Sequence, residues 1–213
     1  ALTRQQADAL LKAARAERLE AALRLLFLGL RRGEVAALKW SDVDLEAATI
    51  TVRGTLGYVK GFGLVEGETK SEQGVRTLPL PASVVASLRW HQNRQRAERN
   101  AMGWSESPYV FTSPKTGGRL YSNLIYQAFK RCCEATGLEG FSPHSARHSA
   151  ASFLIAMKAH PKHISAWLGH SSIKITMDLY GHLFPDAFDG LAEGLDDFLA
   201  GDQEGRTREA GNG

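Results

Sequence analysis

Apolar and polar residues recur at helical spacing over the first thirty positions, which predicts two helices. Thr3 and Gln6 suit a capping box at the start of the first helix, in which each side chain bonds the backbone N–H of the other residue. The second helix, over about residues 16–29, carries its apolar residues on one face and ends at Gly29. A short helix over about residues 34–38 is expected next.

Alternation with a period of two begins at residue 49 and predicts strands. Residues 49–53 form the first strand, residues 57–60 are expected to pair with it, and residues 75–80 form a third. The glycine-rich residues 61–67 are interpreted as a flexible loop that joins the last two strands. The prediction is a small antiparallel three-stranded sheet, inserted early in the chain.

Helical periodicity returns after Pro81 and dominates the rest of the chain. The predicted helices span about residues 81–100, 122–135, 146–157, 161–168 and 186–199, and residues 109–111 resemble a short buried strand. Residues 201–213 are polar and glycine-rich, which is typical of a disordered tail. The elements together predict an α+β fold, a mainly helical domain with one small antiparallel sheet.

Composition indicates a globular protein and hides an asymmetry of charge. Of the 213 residues 43% are hydrophobic and 23% are charged, and the formal net charge is only +3. Between residues 89 and 131, however, eight lysines and arginines stand against two glutamates, whereas between residues 186 and 209 eight acidic residues stand against two arginines. The basic segment could face phosphate groups, or its charges could simply solvate helix surfaces.

The two cysteines, Cys132 and Cys133, are adjacent, so a disulfide framework is implausible and reduced thiols in the cytoplasm are favoured. No secretory signal or membrane span is visible in the sequence, since the apolar run at residues 25–30 is far too short and ends at Arg31. The sequence has no initial Met and begins directly at a helix start, so we expect a fragment of a longer protein.

An apolar helix runs directly into Arg31, which shares a helix face with Glu34 at i,i+3 spacing. An arginine at the edge of a core needs an anion nearby. Glu34 could be that anion in a purely structural ion pair, or it could hold the guanidinium so that the remaining donors face a phosphate. The sequence leaves both interpretations open.

His144 and Arg147 lie three positions apart at the start of a helix that continues as an almost wholly apolar run. A helix N-terminus favours anions through its free N–H groups. Because two cations without an acidic residue in the segment require a counter-charge, a bound anion is indicated. A His-x-x-Arg pattern alone is nevertheless common by chance.

Tyr180 follows His170 of a Leu-Gly-His segment by ten residues, and Lys70 lies on the turn between the second and third predicted strands. A single tyrosine is usually a core aromatic with its hydroxyl at the surface, and a turn lysine is usually a solvated charge. The histidines could alternatively form a zinc site from His160, His163 and His170. That interpretation is disfavoured because no cysteine or carboxylate completes a ligand set.

The order of these residues changes their interpretation, because the sequence resembles the tyrosine recombinase, or phage integrase, family from about residue 2 to 184. The family pattern is an Arg in a Gly-Leu-Arg-x-x-Glu turn, a hairpin Lys, His-x-x-Arg-His, Leu-Gly-His and a terminal Tyr. The matching positions are Arg31 with Glu34, Lys70, His144 with Arg147 and His148, His170, and Tyr180. Ser145 and Ala146 replace a frequent Asp-Leu, and Leu28 replaces a frequent Thr, but neither change removes a reacting group.

The resemblance implies an enzyme that cuts and rejoins DNA through a 3′-phosphotyrosyl bond, without a metal or other cofactor. The implied roles are nucleophile for Tyr180, phosphate binding for Arg31 and Arg147, general base for His144, general acid for Lys70, and a hydrogen bond to the phosphate for His170. Two rival functions remain, a type IB topoisomerase with the same chemistry and a catalytically silent DNA-binding module. The complete set of reacting residues disfavours the silent module, and the integrase-like Leu-Gly-His segment favours a recombinase.

The resemblance also implies partners and domain limits. Residues 1–200 would form the catalytic domain, with the N-terminal DNA-binding region absent from this chain, and the partner would be double-stranded DNA in a bacterial or phage-infected cell. An apolar stripe after Tyr180 on an otherwise acidic segment suggests a homotetramer on DNA that exchanges C-terminal segments, although packing on its own domain is the alternative. The segment from Leu168 to His182 looks most like that of temperate-phage enzymes.

Overall fold

The computed structural model describes residues 1–59, 61–68 and 75–184 of the chain. Within these ranges the helices are α1 (Arg4–Ala14), α2 (Glu20–Phe27), α3 (Arg32–Ala37), α4 (Ala82–Met102), α5 (Ser122–Thr136), α6 (Pro143–Ala156), α7 (Pro161–Leu168) and α8 (Ile173–Tyr180). The strands are β1 (Val43–Asp44), β2 (Thr49–Val52), β3 (Gly54–Val59), β4 (Gly63–Glu68) and β5 (Arg76–Pro79). The predicted class, mainly helical with a small antiparallel sheet, is confirmed.

Local capping explains where several helices begin. Thr3 Oγ1 accepts from the Gln6 backbone N–H at 3.3 Å while the Gln6 side chain accepts from Thr3 N at 2.9 Å, so the predicted capping box is present. Helix α6 begins at Pro143, three residues before the predicted start, because Ser142 caps it and proline suits the first turn. Helix α7 has the predicted bounds.

Strands β1, β2 and β5 form one antiparallel sheet with β2 in the centre, and β3 and β4 form a separate antiparallel hairpin. The predicted pairing of residues 57–60 with residues 49–53 is therefore wrong, and so is the loop predicted at residues 61–67. Gly61 and Gly63 adopt φ values of +89° and +77°, so they form the tight reversal between β3 and β4. Their glycine-rich sequence marks the turn of a hairpin.

The hairpin is held to the body of the domain by Glu66. Its carboxylate accepts from Lys39 Nζ at 2.6 Å and from the Tyr109 hydroxyl at 3.1 Å. Tyr109 itself forms an isolated bridge with Lys39, so the predicted strand at residues 109–111 is present only as a single buried bridge. These contacts fix the hairpin, whose second strand ends at Glu68, two residues before Lys70. Lys70 itself lies outside the described residues.

A large core and a small one meet at the end of α7. The large core includes buried side chains of α1, α2, α5 and the sheet, among them Leu26, Ile50 and Phe129. The small core comprises Ala151, Ile155, Ile164, Leu168 and Tyr180. Trp167 packs against both cores. They join where α6 packs on α2 and α7 contacts β5, with α8 packed on α7.

Helix α8 was not predicted from the sequence, since no helix was expected between residues 168 and 186. Ser172 caps this helix by accepting from Lys174 N at 3.1 Å, and Tyr180 is its last residue. The helix predicted at residues 186–199 and the tail at residues 201–213 lie outside the described residues. Among the helices of the described part of the chain, none is long and apolar enough to cross a membrane.

Candidate active site

Arg31 is the N-cap residue of α3, and Glu34 is its partner one turn later. The Arg31 backbone N–H donates to Glu34 Oε2 at 2.7 Å, and Arg31 Nη1 donates to Glu34 Oε1 at 2.9 Å. The Arg31 side chain nevertheless remains 47% exposed. Thus the structural ion pair between Arg31 and Glu34 is present. The guanidinium also keeps donors at the surface, as binding of a phosphate requires.

Arg76 of β5 is a site residue that the sequence analysis missed. Its guanidinium donates to Glu34 Oε1 at 3.1 Å and to Oε2 at 2.9 Å, and its side chain is only 7% exposed. Arg76 shares the inward face of its strand with the buried Leu78. An arginine at an inward position of a strand needs a buried partner, and that signal was available in the sequence.

Glu34 is therefore a buried carboxylate shared between two guanidinium groups. Burial alone would raise its pKa, but the hydrogen bonds and charges of Arg76, and then those of Arg31, outweigh burial and lower the pKa. The carboxylate stays ionised at neutral pH. Its negative charge balances one of the two arginines, which leaves net positive charge beside α3.

Arg147 projects from α6 into the junction between the two cores and is 3% exposed. Nη1 donates to the Gly29 carbonyl at 2.5 Å and Nη2 donates to the Leu168 carbonyl at 2.7 Å. Burial, followed by the positive charge of Arg31, lowers the pKa of Arg147 to about 10. The group is still protonated at neutral pH, so it is a buried positive charge that bonds no carboxylate among the described residues.

The end of α7 gathers all three arginines. The carbonyl of Trp167 accepts from Arg76 at 2.8 Å, that of Leu168 accepts from Arg147 at 2.7 Å, and that of Gly169 accepts from Arg31 at 3.3 Å. The last carbonyls of a helix have no partner within the helix and carry partial negative charge. The Leu-Gly-His segment thus serves as the common anchor for three guanidinium groups from distant parts of the chain.

Gly169 is required at this anchor for two reasons. Its φ is +65°, a left-handed conformation that favours glycine, and a Cβ on it would lie 2.5 Å from Arg76 Nη1. The guanidinium of Arg76 therefore passes directly over the glycine.

His170 follows Gly169 and is partly buried. Its Nδ1 lies 2.8 Å from the hydroxyl of Thr176 in α8. Burial, and then the positive charges of Arg147, Arg31 and Arg76, lower the pKa of His170 to about 4. The imidazole is neutral at neutral pH, so it can act on a phosphate only as a hydrogen-bond donor.

Tyr180 is buried at 4% exposure, with its ring in the small core and its hydroxyl 2.7 Å from His148 Nδ1. Burial raises the pKa of the phenol, and the positive charge of Arg147 offsets part of that rise. The tyrosine is thus held in its own domain, with an imidazole at its hydroxyl and a guanidinium nearby.

His144 and His148 lie one turn apart on α6, and their rings meet edge to face at 4.3 Å. The family resemblance implied His144 as the general base, but the partner of the Tyr180 hydroxyl is His148. Burial, followed by the charge of His144, lowers the pKa of His148 below its ordinary value of 6.5. His148 is therefore largely neutral at neutral pH and able to accept a proton.

A pocket of about 380 Å³ opens beside these groups. Its polar lining includes Arg31, Arg32, His144 and Arg147, and none of the described residues that line it is acidic. Pockets whose walls carry positive charge attract anions. The pocket suits a phosphate group that would meet the exposed side of Arg31.

Two sequence-based expectations remain, the role of Lys70 and the alternative zinc site. Lys70 lies outside the described residues, so its role stays a prediction. His160 caps α7 and His163 lies on its first turn, with ring centroids 5.8 Å apart, whereas His170 bonds Thr176. Within the described ranges there is no group of three or more His, Cys, Asp or Glu residues arranged to hold a metal ion.

Comparison with known sequences gives one family and several relatives. The model described as "Phage integrase family" matches residues 1–186. A tyrosine recombinase XerC-like protein of Caldanaerobacter subterraneus is 32% identical over 202 residues, covering 88% of this chain and 51% of that protein. The ICEBs1 integrase of Bacillus subtilis is 30% identical over 173 residues, covering 80% of this chain and 46% of that protein.

Solved structures share the fold. The Tn1549 transposon integrase, in complex with transposon right end DNA, superposes with a TM-score of 0.73 at 24% identity over 93% of this chain and 65% of that chain. The XerA recombinase superposes with a TM-score of 0.69 at 24% identity over 92% of this chain and 62% of that chain.

The chain spans about half the length of the curated relatives it matches. The family match nevertheless includes every element of the fold from α1 to α8, with the arginines and histidines of the site and Tyr180. The resemblance found in the sequence motifs is therefore confirmed: this chain belongs to the phage integrase family.

Proposed function

We propose that this chain is the catalytic part of a site-specific DNA recombinase, an integrase, which cleaves and rejoins strands through a 3′-phosphotyrosyl intermediate. The observation that carries the proposal is the Tyr180 hydroxyl, which lies 2.7 Å from a largely neutral imidazole and close to the buried charge of Arg147. A phenol, a proton acceptor and an arginine in one place are the parts needed to attack a phosphodiester.

Arg31 and Arg147 would bind the phosphate. As Tyr180 attacks, negative charge grows on the non-bridging oxygens, and fixed guanidinium donors stabilise it without reorganising. Arg147 is held by two carbonyls and Arg31 by Glu34 and the Gly169 carbonyl, so both are oriented before DNA arrives. The neutral His170 would add one hydrogen bond to the same phosphate.

The proton balance of the step needs one acceptor and one donor. The bond between phosphorus and the 5′-oxygen breaks as the bond to the tyrosine oxygen forms. His148 would take the phenol proton, because it is the imidazole at the hydroxyl. His144, which lines the pocket with both arginines, would then contact the phosphate. A larger loss of cleavage in His144→Gln than in His148→Gln would restore the sequence-based assignment of His144 as the base.

Lys70 would protonate the departing 5′-oxygen. The hairpin that Glu66 anchors ends two residues before Lys70, so the segment that carries the lysine begins at a fixed position. Lys70→Ala should cleave slowly, and a substrate with sulfur in place of the bridging 5′-oxygen should restore the rate, because a thiolate leaves without a proton. Failure of that rescue would remove Lys70 from this role and make Lys60 the next residue to test.

The test of the proposed function is covalent capture on a nicked suicide substrate, followed by peptide mass mapping of the adduct. We expect the DNA on Tyr180. An adduct on another tyrosine, or none with substrates that bind, would overturn the proposal. Strand exchange between two duplexes, measured beside plasmid relaxation, separates the recombinase from a type IB topoisomerase.

We further propose that the active assembly is a homotetramer on double-stranded DNA in the cytoplasm, with the C-terminal segment exchanged between subunits. Its support is the sequence after Tyr180, where apolar residues recur from Leu183 to Leu199 on an acidic segment, of which only the part up to Phe184 lies within the described residues. Truncation after Pro185 should lower cooperative assembly on DNA more than it lowers Tm. A larger effect on Tm would indicate that the segment packs on its own domain.

A further inference from the structure

Thr176 and His170 form a contact that the catalytic assignments do not use. The Thr176 hydroxyl lies 2.8 Å from His170 Nδ1, and Thr176 is fully buried at 0% exposure. Thr176 lies in α8 one turn before Tyr180, and both residues face inward. The contact therefore ties the imidazole after α7 to the helix that carries the nucleophile.

The direction of this hydrogen bond follows from burial. A threonine hydroxyl has one proton, and a neutral imidazole has one nitrogen that donates and one that accepts. If Nδ1 carried the proton, the hydroxyl would accept it, and its own O–H would point into the protein without an acceptor among the described residues. A buried donor without a partner is unfavourable, because it loses its hydrogen bond to water and gains none in the protein. The hydroxyl therefore donates, and Nδ1 accepts.

Accepting at Nδ1 determines the other nitrogen. A neutral imidazole whose Nδ1 is unprotonated carries its proton on Nε2. The surrounding arginines and burial keep His170 neutral at neutral pH, so the choice of tautomer decides whether Nε2 donates or accepts. Within the described residues Nε2 has no hydrogen-bond partner, whereas Nδ1 is occupied by Thr176.

We propose that Thr176 is a positioning residue that holds His170 as the Nε2–H tautomer, so that a neutral imidazole donates a hydrogen bond to the DNA phosphate during cleavage. The proposal rests on the proposed function for its substrate. The opposite tautomer would present a lone pair to the phosphate oxygen and repel it. The hydroxyl of Thr176 thus determines whether His170 assists or opposes phosphate binding.

The tautomer can be observed without any reaction. In ¹⁵N-labelled protein, multiple-bond ¹H–¹⁵N spectra distinguish the protonated ring nitrogen of His170 from the unprotonated one. We expect protonated Nε2 in the wild type and a mixture of tautomers in Thr176→Val, which keeps the side-chain shape and removes the hydroxyl. Protonated Nδ1 in the wild type would overturn the proposal, whatever the enzyme's activity.

Cleavage kinetics test the consequence. In single-turnover cleavage Thr176→Val should lose roughly 10-fold, less than the full loss of a transition-state donor. Thr176→Ser should stay within a few-fold of wild type because it keeps the hydroxyl. Thr136→Val is the control. It also removes a hydroxyl hydrogen bond, which Thr136 donates to the Cys132 carbonyl at 2.7 Å, but this bond lies at the end of α5, away from the site.

A double variant separates a positioning role from a structural one. In a His170→Ala background, Thr176→Val should cause no further loss of rate, because Thr176 acts through the imidazole. Equal cleavage by wild type and Thr176→Val, or an additive loss in the double variant, would overturn the proposal. Failure of the wild type to form an adduct at Tyr180 would instead overturn the proposed function and leave the NMR result standing.

Discussion

The Tyr180 hydroxyl and His148 Nδ1 lie 2.7 Å apart, although the two residues belong to different helices and are separated by 32 positions. The contact joins the last residue of α8 to the second turn of α6, the helix that also carries Arg147. One helix therefore carries both the partner of the phenol and the arginine proposed to bind the phosphate. Any movement of α8 that carries Tyr180 toward DNA must first break this hydrogen bond.

Replacing Tyr180 with Phe should abolish the covalent adduct while DNA binding is retained. Phe keeps the ring in the small core and removes only the reacting oxygen. The lost hydrogen bond should cost about 1 kcal/mol of stability, because the His148 nitrogen is only partly buried. Adduct formation on a suicide substrate, DNA binding and Tm are the measurements. Tyr126→Phe, which alters a tyrosine on the rim of the pocket, should still form the adduct.

Acid should inactivate cleavage through protonation of His148. Its pKa is lowered below 6.5 by burial and by His144, so the neutral, proton-accepting form persists down to about that pH. The single-turnover rate should therefore be level from pH 8 to about 6.5 and fall only at lower pH, since the protonated form cannot accept the phenol proton. A fall that begins well above pH 6.5 would contradict this assignment.

Removing the imidazole of His144 should shift the pKa of His148 in one direction, upward. His144→Gln takes away a positive charge that lowers the pKa of His148, so that pKa should rise and the acid limb of the rate profile should move to higher pH. The profile of His148→Gln should lose the limb altogether. An acid limb that persists unchanged in His148→Gln would assign the titration to another group.

Arg31 and Arg147 should be equally important for cleavage and unequal for stability. Each Ala variant should lose about 3 kcal/mol or more of transition-state stabilisation, which is roughly 100-fold or more in cleavage rate. Arg147→Ala should also lower Tm clearly, because it leaves the Gly29 and Leu168 carbonyls unpaired in a buried region. Arg31→Ala should change Tm little, since its side chain is 47% exposed and Glu34 keeps Arg76.

A matched control for Arg31 is Arg89→Ala. Arg89 has a side chain 49% exposed and an ion pair with Glu46 at 2.7 Å, but it lies on α4 and does not line the pocket. Its replacement removes one positive charge and should leave the cleavage rate near that of the wild type. A comparable loss of rate in both variants would show that Arg31 acts through general charge alone.

Gly169→Ala should destabilise the protein more than Gly137→Ala does. Both glycines end helices with nearly the same left-handed φ, +65° and +67°, so both pay about 1–2 kcal/mol for a side chain there. A Cβ at Gly137 meets nothing within 4 Å, whereas one at Gly169 meets Arg76 Nη1 at 2.5 Å. The difference between the two losses, measured by urea unfolding, reports the displacement of Arg76. Equal losses would mean that Arg76 moves aside freely.

The sequence predicted those parts of the fold that depend on local signals. The capping box of α1 and the bounds of α7 follow from residues adjacent in sequence, and both are present. The strand pairing was wrong, because partners in a sheet are chosen by packing over distance, and glycines at residues 61–67 suit a hairpin turn as well as a loop. Helix α8 was missed because its apolar residues do not mark a buried face: Ile173, Ile175, Met177 and Leu179 are exposed, and only Thr176 and Tyr180 are buried.

The site was predicted as a set of residues and not as a geometry. The motifs identified Arg31, Arg147, His170 and Tyr180, which meet around the end of α7. Arg76 belongs to no motif, and only its inward position on β5 reveals it. The choice between His144 and His148 could not be made from sequence, because both face the same side of α6 one turn apart.

The three carbonyls at the end of α7 accept from arginines that are 138, 91 and 21 positions away along the chain. Contacts over such separations require the closure of long loops, so they form only once most of the chain has folded. A nascent or partly unfolded molecule has its tyrosine but not the assembled cluster of guanidinium groups. Under the proposed function, the capacity to break DNA would therefore be confined to molecules that have completed folding.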